Sequence, residues 1–265
     1  LPNVSISIIS EAKDVAEFLF MEGLYSSNIK VLYHLSYRSI FPELFDEINR
    51  LLSSRINSLR TSVVTMEAFL FLWTRNQIYS LGCGDRSASL LYNKFNKVPA
   101  ILVSAGPSLE RQLQTLAGIG DQALIMAPGS SGRILSRRGI DPHLVMAMDA
   151  EKVEVELYND FCGSSLLIGS YRLDPEMDQV FPNGILRFIN SNERIAQYFF
   201  DYRNDPGEVI NDYSSVATSA LEYLIKLGCD PIIIIGQDMC YYQDKLHADE
   251  APGSLPDEAR RAFRD

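Results

Sequence analysis

From residue 99 onward, short runs of uninterrupted apolar residues take turns with helical patterns. The runs cover 100–105, 123–127, 144–148, 166–169, 185–189 and 232–236, and the helical segments lie around 109–118, 131–138, 151–160, 192–202 and 215–227. A strand that is apolar at every position is buried on both faces. Strands of that kind separated by helices form a parallel sheet covered on both sides. The expected class is α/β, a Rossmann-like, mostly parallel sheet with helices on both faces. Ligands in such folds sit at the carboxyl ends of the strands, so chemistry is sought in the residues that follow each apolar run.

Residues 1–98 have a different texture. Stretches 5–10 and 30–35 are of strand type and flank a helical pattern over 11–23. From Pro42 to about Tyr79, Leu44, Phe45, Ile48, Leu51, Leu52, Ile56 and Leu59 recur at helical spacing opposite a polar face, which predicts one long helix or two shorter ones. Residues 1–75 are therefore assigned to a smaller α/β amino-terminal region and 76–265 to the sheet domain, with 93–98 as a plausible linker. Without an initiator Met, and ending abruptly at Arg264 and Asp265, the chain reads as a piece of a longer protein whose sheet domain is cut short at its carboxyl end.

With 265 residues, 46% of them hydrophobic, the chain can bury a sizeable core. Its net charge of −10 argues against a general nucleic-acid binder, whose affinity rests on neutralising phosphates, but not against a local anion pocket. Cys83, Cys162, Cys229 and Cys240 show no C-x-x-C spacing, and His34, His143 and His247 lie far apart, so neither a disulfide framework nor a metal site is expected. No apolar run is long enough to span a membrane, and Leu1-Pro2-Asn3-Val4 does not open a signal peptide. A cytoplasmic protein is the expectation.

The strand ends are read in turn. Ser104-Ala105-Gly106-Pro107-Ser108-Leu109 is a strand running into a helix start. Such a turn points backbone N–H groups and the positive end of a helix at one spot, where a phosphate can be held; an ordinary strand–helix turn is the alternative. It is neither G-x-G-x-x-G nor a Walker A sequence. Pro128-Gly129-Ser130-Ser131-Gly132-Arg133 again places glycine and hydroxyls before a helix, with Ser130 a ligand contact or a cap and Arg133 the one arginine near the helix start. Asp149, directly after the third run, suits ribose hydroxyls, a metal, an acceptor or a helix cap. Asp212-Tyr213-Ser214-Ser215 opens an amphipathic helix that Gly228 closes. The last run delivers Gly236-Gln237-Asp238, followed by a polar loop with His247, either a general base or simply solvated.

Together, Ser104-Ala105-Gly106-Pro107-Ser108-Leu109, Gly139-Ile140-Asp141-Pro142 leading into Asp149, Ser215-Val216-Ala217-Thr218-Ser219-Ala220-Leu221-Glu222, Gly236-Gln237-Asp238 and His247 resemble the Maf (motility-associated factor) flagellin glycosyltransferases. Their central domain is grouped with the archaeal 6-hydroxymethylpterin diphosphokinase, MptE-like domain. The resemblance spans roughly residues 75–250. The layout is also similar to bacterial sialyltransferases that use CMP-sialic acid. That likeness implies donor binding by Gly106, Pro107, Ser108, Ser130, Ser214, Ser215 and Gly236, with Asp238 at the pocket floor. The sequence departs from the sialyltransferase pattern at Ala105, where that group carries Asn. Tyr241 and Tyr242 match its phosphate-holding tyrosines only loosely. His143 stands where Maf-like sequences usually place an acidic residue.

What the resemblance implies is transfer of a nonulosonic acid of the pseudaminic, legionaminic or sialic type. The donor is the CMP-activated sugar and the acceptor is Ser or Thr of flagellin, in support of flagellar assembly and motility. Asp149, Asp238 and His247 are the candidate catalytic groups. No cofactor, metal, nucleic acid or membrane partner is expected. Two alternatives stand beside it: Mg²⁺-dependent diphosphoryl transfer from ATP to a pterin alcohol, with Asp149 and Asp238 as metal ligands, and a non-catalytic factor that binds flagellin or a nucleotide.

Overall fold

The computed structural model describes residues 11–23, 34–83, 86–159, 161, 163–181, 183–203, 209–213, 215–240 and 248. The chain divides into two compact units, Leu1–Leu70 and Phe71–Asp265. The described part of the first is helical: α1 (Ala12–Gly23), α2 (Leu35–Ile40) and the leading part of α3 (Pro42–Gly82). α1 and α3 fall on the two helical patterns of the sequence. The strand-type stretch 5–10 and residues 30–33 lie outside the described residues, and Leu35 opens α2 rather than closing a strand.

In the second unit β1 (Arg86–Ser87), β2 (Ala100–Val103), α4 (Leu113–Ala117), β3 (Leu124–Pro128), α5 (Ser130–Arg137), β4 (Leu144–Ala147) and α6 (Lys152–Tyr158) are followed by β5 (Leu166–Ser170), α7 (Met177–Val180), β6 (Ile185–Asn190), α8 (Arg194–Tyr202), β7 (Val209–Ile210), α9 (Val216–Leu227) and β8 (Ile232–Ile235). The sheet runs β1-β6-β5-β4-β3-β2-β8, with β7 also paired to β6, and every pairing is parallel. All six apolar runs are strands of this α/β sheet.

Successive side chains on a strand point to opposite faces, and the core divides accordingly. Even-numbered residues, among them Leu102, Met126, Met146, Ile168 and Phe188, pack with Tyr223, Leu224 and Leu227 of α9. Odd-numbered residues pack on the other face. Ile101, Val103, Ile125 and Ala127 lie with Leu113 and Leu116 of α4 and Ile134 and Leu135 of α5, while Val145, Ala147 and Leu167 lie with Val155 and Tyr158 of α6 and Met177 of α7. Among the described residues, α9 therefore serves one face, and α4 to α7, with α8 against Ile189, serve the other. Leu224→Ala, which empties a fully buried site on the face of α9 that covers the even-numbered residues, is expected to lower unfolding free energy by about 2–5 kcal/mol, read by urea denaturation. A loss below about 1 kcal/mol would contradict this packing.

Residues 93–98 are not a loose linker. Asn93, Phe95 and Lys97 donate their N–H groups to the carbonyls of Lys226, Leu227 and Gly228, and Val98 accepts from Asp230 N. They strap the end of α9 to the start of β2. The chain sets down strands β2 to β6 in one direction and then returns to lay β8 against the other side of β2. Such a reversal opens a crevice at the carboxyl ends of the two strands, because the segments leaving them diverge.

Candidate functional site

The crevice is a cavity of about 290 Å³, at the small end of the roughly 300–1,000 Å³ usual for ligand sites. It is lined by residues 104–106 after β2, 128–130 after β3, 215–217 at the start of α9 and 236–239 after β8. Four separate stretches of sequence meet there because they end or begin elements at one edge of the sheet.

The β2 and β8 ends are fastened backbone to backbone. Ser104 N donates to Ile235 O at 2.9 Å and Gly106 N to Gly236 O at 2.7 Å. No room is left for side chains at the crossing. A Cβ on Gly106 would strike Gly236 O and stand 2.6 Å from Asp238 Oδ2, and one on Gly236, whose φ is 68°, would strike Ser104 O.

The segment after Gly106 departs from the expected helix over 109–118. A 3₁₀ turn (Pro107–Arg111) comes first and the short α4 follows. Its first N–H already has an anion: Ser108 N donates to Asp238 Oδ2 at 2.7 Å, and the Ser108 hydroxyl donates to Asp238 Oδ1 at 2.5 Å. Asp238 is thus a cap supplied from another strand, holding the turn after β2 against the end of β8. Asp238→Ala is expected to cost about 1–3 kcal/mol of stability by urea denaturation, with Asp238→Asn recovering part of it, since a charge-assisted pair of bonds is lost. An Ala variant as stable as the parent would contradict the cap.

The longer α9 brings its positive end to the cavity. Ser215 is its N-cap, the side chain accepting from Ala217 N at 3.3 Å, which leaves the hydroxyl hydrogen to donate elsewhere. Ser130 opens α5 at the cavity wall, while its neighbour Ser131 is buried and donates to Pro128 O. Ser104 also lines the cavity. Its hydroxyl is buried and has no hydrogen-bond partner among the described residues. A buried hydroxyl of that kind carries a desolvation cost that a polar ligand would offset.

Asp149 follows β4, the next strand along, and is exposed. It does not cap α6, where Glu151 holds that position. Its companion is Glu154, which is 7% exposed; burial first, then the charge and hydrogen bond of Asp149, push the Glu154 carboxyl up to about 8. Tyr158, one turn further along α6, is fully buried, raised well above its ordinary value by burial, and donates its hydroxyl to Gly129 O at 2.5 Å.

The other half of the carboxyl edge is closed by side chains. Asn76, near the end of α3, donates to Ala150 O at 3.1 Å and Arg172 O at 3.0 Å, and Gln77 Oε1 accepts from Ala196 N. Arg172 donates to Met148 O, stacks 5.0 Å from the Trp73 ring centroid and lies 3.6 Å from Asp212. Glu193 beside it accepts from the N–H groups of Arg172 and Asn190. Burial outweighs those bonds and Arg172, so its carboxyl rises to about 7. With this network over β4, β5 and β6, the open ground lies at β2, β3 and β8.

The structure thus gathers Gly106, Ser130, Ser215, Gly236 and Asp238 around one cavity, with Pro107 and Ser108 in the turn behind it. Asp149 stands one strand away. Ser214, Tyr241, Tyr242 and His247 lie outside the described residues; Ala248, next after His247, donates its N–H to Ala105 O at 2.7 Å. His143 accepts from Ile125 N before β4 begins, at the opposite edge from the cavity. Sequence reasoning missed Ser104 as a lining hydroxyl, and also Glu154, Arg172 and Glu193. Only Glu154 left a signal: it falls four residues before Tyr158, on the apolar side of a helix whose other charges face outward.

Among solved structures, the chain is similar to "Structure of MAf glycosyltransferase from Magnetospirillum magneticum AMB-1", with a TM-score of 0.50 and 18% identity over 70% of this chain and 31% of that one. At that identity the likeness is one of fold. A curated relative, an uncharacterized protein of Treponema pallidum (strain Nichols), is 25% identical over 126 residues, which are 48% of this chain and 60% of the relative. The chain therefore spans well under the full length of both. The family model described as 6-hydroxymethylpterin diphosphokinase MptE-like matches residues 75–244, more than half the chain and nearly the whole described sheet unit. The chain belongs to this MptE-like family, whose fold it shares with a Maf glycosyltransferase.

Proposed function

We propose that this chain carries the donor site of a glycosyltransferase that moves a nonulosonic acid from a CMP-activated sugar to Ser or Thr of flagellin, in the cytoplasm. The observation that carries the reading is the cavity at the β2–β8 reversal, where the start of α9, the Ser215 hydroxyl and the buried Ser104 hydroxyl converge. Neutral donors at a helix start suit the phosphate of a departing nucleotide, because they meet negative charge as it develops. The Maf fold of the neighbour supports the same class of reaction. In this reading the cavity holds the phosphate end of CMP, the sugar projects toward β3 and β4, and displacement inverts the anomeric carbon.

The family description favours a second reading, Mg²⁺-dependent diphosphoryl transfer from ATP to a pterin alcohol. It needs Asp149 and Asp238 on one ion. β3 and β2 intervene between their strands, an offset of about three spacings of ~4.8 Å, and Asp238 is already bonded to Ser108. A single ion held by both is not accommodated. Calorimetry with CMP, and separately with ATP and Mg²⁺, tests the two. Expected is metal-independent CMP binding that weakens about tenfold in Ser104→Val, the worth of one hydrogen bond. ATP binding that requires Mg²⁺, with none for CMP, would replace the transferase reading by the second.

A further inference from the structure

Two helices begin at the cavity, and they come from opposite faces of the sheet. α9 packs on the even-numbered strand residues and α5 on the odd-numbered ones. Ser215 and Ser130, at their starts, both line the crevice. Ser104 falls on the α9 side, because it follows Leu102 by two positions and its N–H extends the β2–β8 ladder. Its buried, unpartnered hydroxyl therefore belongs with Ser215 and the start of α9. The start of α5 is a separate group of donors on the other side of the same cavity.

Contacts behind it orient that start. Gly129, the N-cap residue, has φ 56° and ψ −135°, a conformation open to glycine, and no side chain caps the helix. Gly129 N donates to Met146 O at 2.8 Å, and Gly129 O accepts from the buried Tyr158 hydroxyl at 2.5 Å and from Gly132 N at 3.2 Å. In a trans peptide the N–H points opposite to the C=O. With the Gly129 carbonyl turned toward the core around Tyr158, the Ser130 N–H is turned away from that core, to the side of the cavity that both residues line. This N–H has no acceptor among the described residues. Nor is there a Lys or Arg among the described residues that line the cavity. Each helix start offers neutral donors and a partial positive charge of about half a unit, which suits one negative charge at each.

We propose that the start of α5, through the Ser130 N–H, is a second anion subsite that binds the carboxylate of the transferred sugar, and that Tyr158 is the positioning residue that aims this N–H by holding the Gly129 carbonyl. This rests on the glycosyl-transfer reading. A nonulosonic acid carries its carboxylate on the anomeric carbon, the atom bonded to the phosphate oxygen of the activated donor. Such a donor therefore presents two anions joined through one carbon. The phosphate takes the start of α9 with Ser215 and Ser104, and the carboxylate takes the start of α5 opposite. Anchors on the two faces of the sheet fix the sugar's rotation about the bond that breaks, and a donor without a carboxylate leaves the Ser130 N–H unsatisfied.

The test is calorimetry with three probes: CMP, the 3-fluoro analogue of CMP-N-acetylneuraminic acid, which resists hydrolysis, and the methyl ester of that analogue. The wild type is expected to bind the acid about tenfold tighter than the ester, the worth of one charge-assisted hydrogen bond. Ser130→Pro deletes the N–H. Proline suits the first position of a helix, and Gly129 lies outside the helical region that a following proline disfavours. Tyr158→Phe removes only the hydroxyl that holds the Gly129 carbonyl. Both variants are expected to bring the ratio of acid to ester affinity below about threefold. Lost packing would weaken acid and ester together and leave their ratio where it was. Ser104→Val, on the phosphate side, is expected to weaken both by about tenfold and to keep the ratio. A wild type that binds acid and ester alike, or a Ser130→Pro variant that keeps the tenfold preference, overturns the carboxylate subsite while CMP binding still supports the transfer reading. A Tyr158→Phe variant that keeps the preference overturns the positioning role. If the wild type binds neither CMP nor the acid, the transfer reading falls and the subsite with it.

Discussion

Gly236→Ala is expected to destabilise the sheet unit by more than about 3 kcal/mol, and Gly106→Ala by somewhat less. The two losses have different make-ups. Gly236 sits at φ 68°, where an L side chain costs about 1 kcal/mol before any collision. Its new methyl would also occupy the position of Ser104 O, on the segment whose N–H is tied to Ile235 O. Neither strand end can withdraw without breaking those bonds. Gly106 has an ordinary φ of −70°, so its substitution carries only the collision with Gly236 O and Asp238. Asp238 can swing away, but doing so releases Ser108 and uncaps the turn. Urea denaturation of both variants should therefore rank Gly236→Ala below Gly106→Ala. Equal stability of Gly236→Ala and the parent would show that the β2–β8 crossing is looser than described.

The sheet was legible because its signal is local and repeated. Each central strand is apolar at both parities, and only burial on two faces explains that. The cavity edge was legible for the same reason: once strands are parallel, the residues after them share one edge, so Gly106, Ser130 and Gly236 could be grouped without knowing strand order. Strand order itself was not legible. Nothing in Ile232 to Ile235 says that this strand returns to the side of β2, although that return makes the crevice. Nor could the sequence show that Ser108 and Asp238, 130 positions apart, satisfy each other. The turn that looked like an open anion site carries an anion of its own, and the open donors belong to α9 and Ser104 instead. Arg172 and Glu193 were silent because a buried ion pair at the mouth of a strand looks like any exposed charge until α3 is laid over it.

Two buried glutamates make stability fall as pH rises, the opposite of the usual carboxylate pattern. Glu154 and Glu193 are raised from an ordinary 4.5 to about 8 and about 7, chiefly by burial. A raised group binds its proton more tightly in the folded state than in the unfolded one, so its stabilisation is complete below pH ~4.5 and is lost as pH climbs through the folded value. A tenfold difference in proton affinity between the two states is worth about 1.4 kcal/mol, so the two groups together are expected to remove several kcal/mol between pH 5 and 8. Glu193 gives up its share by about pH 7, and Glu154 continues to about pH 8. Glu154→Gln cannot ionise and is close to the glutamic acid in size. It should therefore match the parent near pH 5, exceed it by roughly 2–4 kcal/mol at pH 8, and leave only the Glu193 portion of the slope. Urea denaturation at several pH values reads both chains. Parallel curves for variant and parent would mean that Glu154 is ionised in the folded protein at neutral pH and that burial does not hold its proton.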